Sequence, residues 1–181
     1  MYVYKFRLTF DEVEDFVRDY EILSNQTFLD FHNIIIQSIN LNSKELASFY
    51  IADHRWEKHK EITLMDMMDE EEEQAEVPKS VMADAVLSDY IDDPHQKMIY
   101  EYDFLNLKTF YIELLKTSKV DDAAAIAKYP KCTHSKGEIP KSFKELSPDE
   151  LLIDNFDDDV FTDDDGYNPE DLEDFHDDFE I

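Results

Sequence analysis

The chain of 181 residues is poor in glycine, with two, and in cysteine, with one. Two glycines, Gly137 and Gly166, cannot build a Walker-A loop or a dinucleotide fingerprint, since both need several glycines for close approach to phosphate. The G-x-S-x-G elbow and the C-x-x-C pair are absent as well, so nucleotide-dependent and α/β-hydrolase chemistry are disfavoured. Cys132 alone cannot form an intrachain disulfide. The opening MYVYKFRL has no basic region followed by an apolar stretch, and no apolar run approaches the ~20 residues needed to span a bilayer. Together these point to a soluble, cytoplasmic protein.

Positive charge is the other scarcity. Lys and Arg number 17 against 45 acids, a net charge of −28, and neither occurs after Lys144. Residues 145–181 hold 17 of the acids, which leaves 28 acids against 17 bases in residues 1–144, a body at −11. Direct nucleic-acid binding draws its affinity from Lys and Arg at phosphates and is disfavoured, as is an anionic membrane surface. A basic protein partner, divalent cations or plain solubility remain compatible with this balance.

Apolar residues make up 43 % of the chain, with 13 Phe and 10 Tyr, enough for a core in one domain with an appendage. Tyr2, Tyr4, Phe6, Leu8 and Phe10 alternate with Val3, Lys5, Arg7 and Thr9, a strand with one buried face. Residues 15–23 continue it with Phe16, Tyr20 and Ile22, so an antiparallel hairpin is expected. Thr27 is a candidate N-cap with Asp30 three residues on. Phe28, Phe31, His32, Ile35, Ile36 and Ile39 then form a helical stripe expected to pack across the hairpin. His32 on that stripe reads as a satisfied core histidine rather than a ligand.

Further strands are expected at 47–53, around Glu61–Leu64, at 98–104 and at 110–114, the last two as a second hairpin. Met65–Met68 suggests a short turn or helix, Glu70–Glu76 an acidic loop, and residues 81–91 a short helix. The alanines at 123–125 hint at a further short helix, Pro130, Gly137 and Pro140 at a loop, and Ser147-Pro148-Asp149-Glu150 at another helix start.

From Ile153 onward acids alternate with single aromatics, and disorder is expected over 145–181. Phe156, Phe161, Tyr167, Phe175 and Phe179 are candidate anchors for a basic partner, with Asp157, Asp158, Asp159, Asp163, Asp164 and Asp165 steering it. Asp163-Asp164-Asp165-Gly166 looks like a calcium loop, but placing Gly166 at position six puts Phe161 at one and Leu172 at twelve. Only weak divalent binding by the tail is compatible, and no cofactor is expected.

An alternative site would gather Asp53, His54, His59, Cys132 and His134 around a metal, as in a metal-dependent hydrolase. Arg7, Arg18 and Arg55 are the scarce guanidinium groups of the body, and if they clustered, an acidic ligand or the tail itself could bind there.

The order of elements resembles the plasmid pRiA4b ORF-3-like family, in the form common in Bacteroides-type bacteria. The matching residues are Tyr4-Lys5-Phe6-Arg7, Phe16-Val17-Arg18, the helix start Thr27-Phe28-Leu29-Asp30-Phe31-His32, Trp56-Glu57 and Ile99-Tyr100-Glu101-Tyr102-Asp103-Phe104, within residues 1–140. The resemblance implies an α+β fold with a mixed or antiparallel, β-grasp-like sheet, and often a gene on a mobile element; it supplies no activity. Members of the larger group carry Gly-Asp and Trp-x-His after the Tyr-x-Phe strand, where this chain has Leu105-Asn106-Leu107-Lys108-Thr109-Phe110. The leading expectation is a non-enzymatic interaction module with an acidic, aromatic-bearing tail; a metal-dependent hydrolase and a structural passenger of a mobile element are the alternatives.

Overall fold

The computed structural model describes residues 1–65 and 80–140. The expected turn or helix at Met65–Met68 (past Met65), the acidic loop, the helix start at Ser147 and the tail with all its candidate anchors and acids lie outside these residues.

Strand β1 (Tyr2–Thr9) turns into β2 (Val17–Leu23), antiparallel, with Phe6 opposite Tyr20. Tyr4, Phe6, Leu8 and Phe10 are buried as the alternation requires, while Tyr2 at the strand start is exposed. Helix α1 (Phe28–Ile39) opens with the expected capping box: the Thr27 side chain accepts from the Asp30 amide, and Asp30 accepts from the Thr27 amide. It ends at Asn40, whose left-handed backbone (φ 58°) closes the last turn. Its stripe of Phe28, Phe31, His32, Ile35, Ile36 and Ile39 is buried. Phe31 stacks on Phe6 of β1 at 5.0 Å and on Phe49 at 5.3 Å, and meets Tyr20 edge-on at 5.7 Å.

Strands β3 (Ala47–Ala52) and β4 (Lys58–Thr63) form a hairpin, as do β6 (Lys97–Tyr102) and β7 (Lys108–Lys119). With β5 (Ser80–Val81), a short α2 (Ala123–Ile126) and β8 (Lys131–Lys136), the described residues build one mixed sheet in the order β5-β4-β3-β6-β7-β1-β2-β8. Every pairing is antiparallel except β4 with β5. The central position of β6 explains why Met98, Ile99, Tyr100, Glu101 and Tyr102 are all buried, where alternation alone suggests one covered face.

Two expectations are corrected. Residues 81–91 are not a helix: β5 is followed by a turn, a bridge from Val86 to Thr27 and a 3-10 turn at Leu87–Asp89. Tertiary pairing takes the groups a helix would need. Ala85 and Met82 carbonyls accept from the Phe28 and Leu29 amides, and the Leu87 and Ser88 amides donate to Gln26 and Ser24. Residues 131–136 are not loop but an edge strand, held by its ladder to β2 and by Arg18, which donates to the Lys136 and Gly137 carbonyls at 2.6 and 2.9 Å. Gly137 has φ +75°, and a Cβ there would lie 3.1 Å from the Phe16 Cα, so a side chain at this position would be strained.

His32 is buried, and its Nδ1 lies 2.9 Å from the Tyr100 hydroxyl. This is the satisfied core histidine the stripe suggested. Burial pushes its imidazole from 6.5 down to about 4, because the charged form cannot be hydrated there. The unfolded chain therefore binds the proton first. This contribution to stability is complete above about pH 6.5 and is lost as pH falls toward about 4. Between pH 7 and pH 5 we expect His32 to remove about 2 kcal/mol from the unfolding free energy. A His32→Gln variant, compared by urea titration at both values, should show a drop smaller by that amount; an unchanged drop would assign the pH dependence elsewhere.

Candidate functional site

The face of the sheet opposite Phe6 and Phe49 is polar, and strand register decides which charges meet on it. Arg7 lies across from Asp19 on one side and Glu113 on the other, and Lys97 lies across from Glu113. Arg7 Nε and Nη2 donate to the two Asp19 oxygens at 2.8 and 3.0 Å, a bidentate pair, with Lys5 Nζ at 3.5 Å from Asp19 Oδ2. The Asp19 side chain is only 4 % exposed. The Arg7 hydrogen bonds hold its carboxyl below the usual carboxylate range, against the opposing pull of burial. Farther along the face Lys58 donates to Glu101 and the Tyr50 hydroxyl donates to Glu61 at 2.8 Å. Burial first, then the Glu61 carboxylate, pushes the Tyr50 phenol up.

Where β3 turns into β4, the backbone is strained. Asp53 Oδ1 accepts from the Arg55 and Glu57 amides at 2.8 and 2.9 Å, and the Trp56 amide donates to the Asp53 carbonyl. These bonds force Trp56 to φ +67°, a left-handed conformation a bulky residue adopts at a cost of about 1–2 kcal/mol. Packing offsets that cost. The indole meets Tyr111 of β7 edge-on at 5.0 Å, and Lys97 Nζ sits 4.5 Å from its centroid while donating to the His54 carbonyl. Trp56 and Tyr111 thus form a half-buried aromatic platform beside Lys97 on an otherwise charged face.

The proposed metal residues divide between two places. Asp53 faces both imidazoles of its turn, with Oδ2 at 4.0 Å from His54 Nδ1 and 3.9 Å from His59 Nε2. Its carboxyl is held below the usual range chiefly by the Glu57 amide. Cys132 and His134 lie on β8 at the far edge of the sheet, where Cys132 Sγ donates to the His134 carbonyl at 3.3 Å. Among the described residues no group of three or more His, Cys, Asp and Glu is placed to hold a metal ion. The arginines do not cluster: Arg7 is on the polar face, Arg18 is buried against the Phe16 ring and main-chain carbonyls, and Arg55 is exposed in the β3–β4 turn. Sequence reasoning missed the Arg7–Asp19 pair and the Trp56–Tyr111 contact. The first was available from the hairpin register, and the second required knowing that β3 and β7 flank β6.

Among the described residues a mixed eight-stranded sheet and one capped helix, with an interlocked polar face, make an α+β fold. Residues 2–142 match the family model of the plasmid pRiA4b ORF-3-like protein, and the chain belongs to that family. Among solved structures, it is similar to a protein of unknown function from Methanosarcina mazei Go1, with a TM-score of 0.58 and 22 % identity, covering 74 % of this chain and 68 % of that one; the likeness is one of fold. Comparison with curated proteins gives no match. Among the described residues no helix is long and apolar enough to cross a membrane.

Substitutions at two positions separate the roles. Asp19→Asn should lower the unfolding free energy by about 1–2 kcal/mol, because it leaves Arg7 without its carboxylate. Trp56→Gly should be less harmful than Trp56→Ala by about 1 kcal/mol, since both lose the ring packing but glycine accepts positive φ freely. Equal losses for the two, measured by urea denaturation, would mean the turn carries no such strain.

Proposed function

We propose that this chain is a non-enzymatic, cytoplasmic protein-interaction module. In this reading residues 1–144 are a scaffold with α1 laid across the first hairpin in a β-grasp-like manner, and residues 145–181 are an unstructured acidic segment that docks on a basic partner. The observation that carries the reading is the Trp56–Tyr111 platform: a tryptophan is kept on the polar face at the expense of a strained backbone. Tryptophan, tyrosine and arginine dominate the energetics of protein interfaces. The carboxylates and cations around it engage one another in the Arg7–Asp19 and Lys58–Glu101 pairs. With 17 acids and no base, residues 145–181 would speed encounter with a basic surface, and Phe156, Phe161, Tyr167, Phe175 and Phe179 would supply apolar anchorage.

The test of the leading reading uses the full chain and a variant with Asp157, Asp158, Asp159, Asp163, Asp164 and Asp165 changed to Asn. Immobilised in cell lysate, the wild type should retain a basic protein at low salt and release it at high salt, and the variant should retain far less. Equal, salt-insensitive retention by both would remove the tail from the binding mechanism.

A further inference from the structure

Where β1 runs beside β7, a bulge shapes the sheet face. Phe6 pairs with Leu114 and Lys5 with Lys116, so Leu115 is the extra residue. The bulge turns Leu114 and Thr117 to the same face, opposite Phe6 and Tyr4, although an odd spacing in a regular strand would separate them. Leu114 and Thr117 join Tyr2 and Tyr4 as one wall of a recess of about 260 Å³, and Ile91, Asp92, Asp93 and Pro94 form the other. At ~30 Å³ for each water, that is room for about eight waters or one small organic molecule.

The second wall is a pinned loop. Asp93 Oδ1 accepts from the His95 amide at 2.7 Å, and the Asp93 carbonyl accepts from the Gln96 amide at 3.1 Å. The Gln96 carbonyl accepts in turn from the Leu114 amide at 2.8 Å, and its side chain donates to the Ala52 and Lys97 carbonyls. Pro94 fixes one further backbone angle. Both walls therefore stand in place before a ligand arrives, which keeps the ordering cost of binding low.

Charge and shape together select the ligand. The Asp92 carboxylate makes no hydrogen bond or ion pair among the described residues. Its field reaches the Tyr4 hydroxyl: burial first, and then the Asp92 charge, push that phenol up. The cations of the adjoining strands are engaged elsewhere. Lys119 Nζ lies 3.4 Å from Asp121, and the Met1 amino group donates to the Val120 carbonyl at 3.1 Å. Lys5 Nζ lies 3.5 Å from Asp19 on the polar face, to which its ladder partner Lys116 is also turned. An uncompensated carboxylate beside two tyrosine rings suits a cation that carries apolar surface, because ring faces attract the charge and the aliphatic wall covers carbon. A bare metal ion is served less well, since among the described residues no third His, Cys, Asp or Glu stands with Asp92 and Asp93. We propose that this recess binds a small free amine in its ammonium form, the charged nitrogen held by Asp92 against the Tyr2 and Tyr4 rings and the carbon stem lying on Ile91, Pro94 and Leu114. The proposal goes beyond the interaction reading and stands whether or not residues 145–181 dock a partner.

The test titrates the full chain, labelled with nitrogen-15, with benzylamine at neutral pH and physiological salt, where diffuse attraction to an acidic chain is screened. Benzyl alcohol, of the same shape but uncharged, is the control. Benzylamine should give saturable shifts of the Tyr4, Asp92 and Leu114 amides, and the alcohol should bind at least about tenfold more weakly. Asp92→Asn alters an exposed side chain and should weaken benzylamine at least about tenfold with an unchanged melting temperature. Glu138→Gln removes an exposed carboxylate on another strand end and should leave binding within about twofold. Equal weakening by the two variants would reduce the binding to general attraction and overturn the proposal. So would equal binding of the alcohol, binding by Asp92→Asn within about twofold of wild type, or no saturable shift with benzylamine. Magnesium ion that reproduces the shifts and displaces benzylamine would make this an inorganic-cation site. Nα-acetyl-lysine N-methylamide binding at least about tenfold tighter than benzylamine would make the ligand a lysine side chain of a protein; either result overturns the assignment to a small amine.

Discussion

The ring of Phe31 is the contact on which the rest of this structure depends. It lies between Phe6 of β1 and Phe49 of β3, with Tyr20 of β2 at its edge, so one helical side chain touches strands from both halves of the sheet. Between those halves run β6 and β7, which contribute Tyr100 and Phe110 to the same aromatic core; Tyr100 packs on Phe49 at 4.7 Å. Such ring pairs add about 0.5–1.5 kcal/mol each beyond the apolar area they bury. Because α1 is anchored by a capping box at one end and a left-handed residue at the other, Phe31 is delivered at a fixed height over the sheet. With the core closed on this face, Arg7, Asp19, Glu101 and Glu113 are turned to the other.

That other face settles its charges internally. Arg7, Lys5 and Asp19 form one group through the β1–β2 pairing, and Lys58 of β4 reaches Glu101 of β6 across β3. Two places depart from this economy, one at each end of β3. At one end a tryptophan occupies a left-handed position, where side-chain packing overrides backbone preference. At the other a rigid turn presents leucines to water. Local preference is violated at both places while the surrounding bonds are complete, the pattern by which proteins hold a strained or exposed group in place.

Legibility in the sequence followed locality. The helix α1 and its cap were readable because periodicity, N-cap chemistry and the apolar stripe all lie within thirteen residues. The β1–β2 and β6–β7 hairpins were readable for the same reason, through alternation and short connections. Residues 81–91 misled because Met82, Ala85 and Leu87 are buried by the entry to α1, a contact no local pattern records. The strand Lys131–Lys136 has no apolar alternation; backbone pairing to β2 and the Arg18 bonds define it. Of the site, the Trp56-Glu57 motif and the Asp53–His54–His59 neighbourhood were visible as sequence, whereas Tyr111 reaches Trp56 only through the sheet order β3-β6-β7. Leu105–Lys108 were readable as the connection between the two strands, but which of its side chains face water was set by turn geometry that no local pattern records.

The central claim is that Phe31 couples the two halves of the sheet into one cooperative unit, and native-state hydrogen exchange on wild type and Phe31→Leu tests it most directly. If the claim holds, the slowest amides of β1, β3, β6 and β7 open with one common free energy in the wild type and fall together, by the same amount, in the variant. A variant in which β3 and β6 lose protection while β1 and β2 keep theirs would contradict it, and would mean that the halves are stable independently of the helix that joins them.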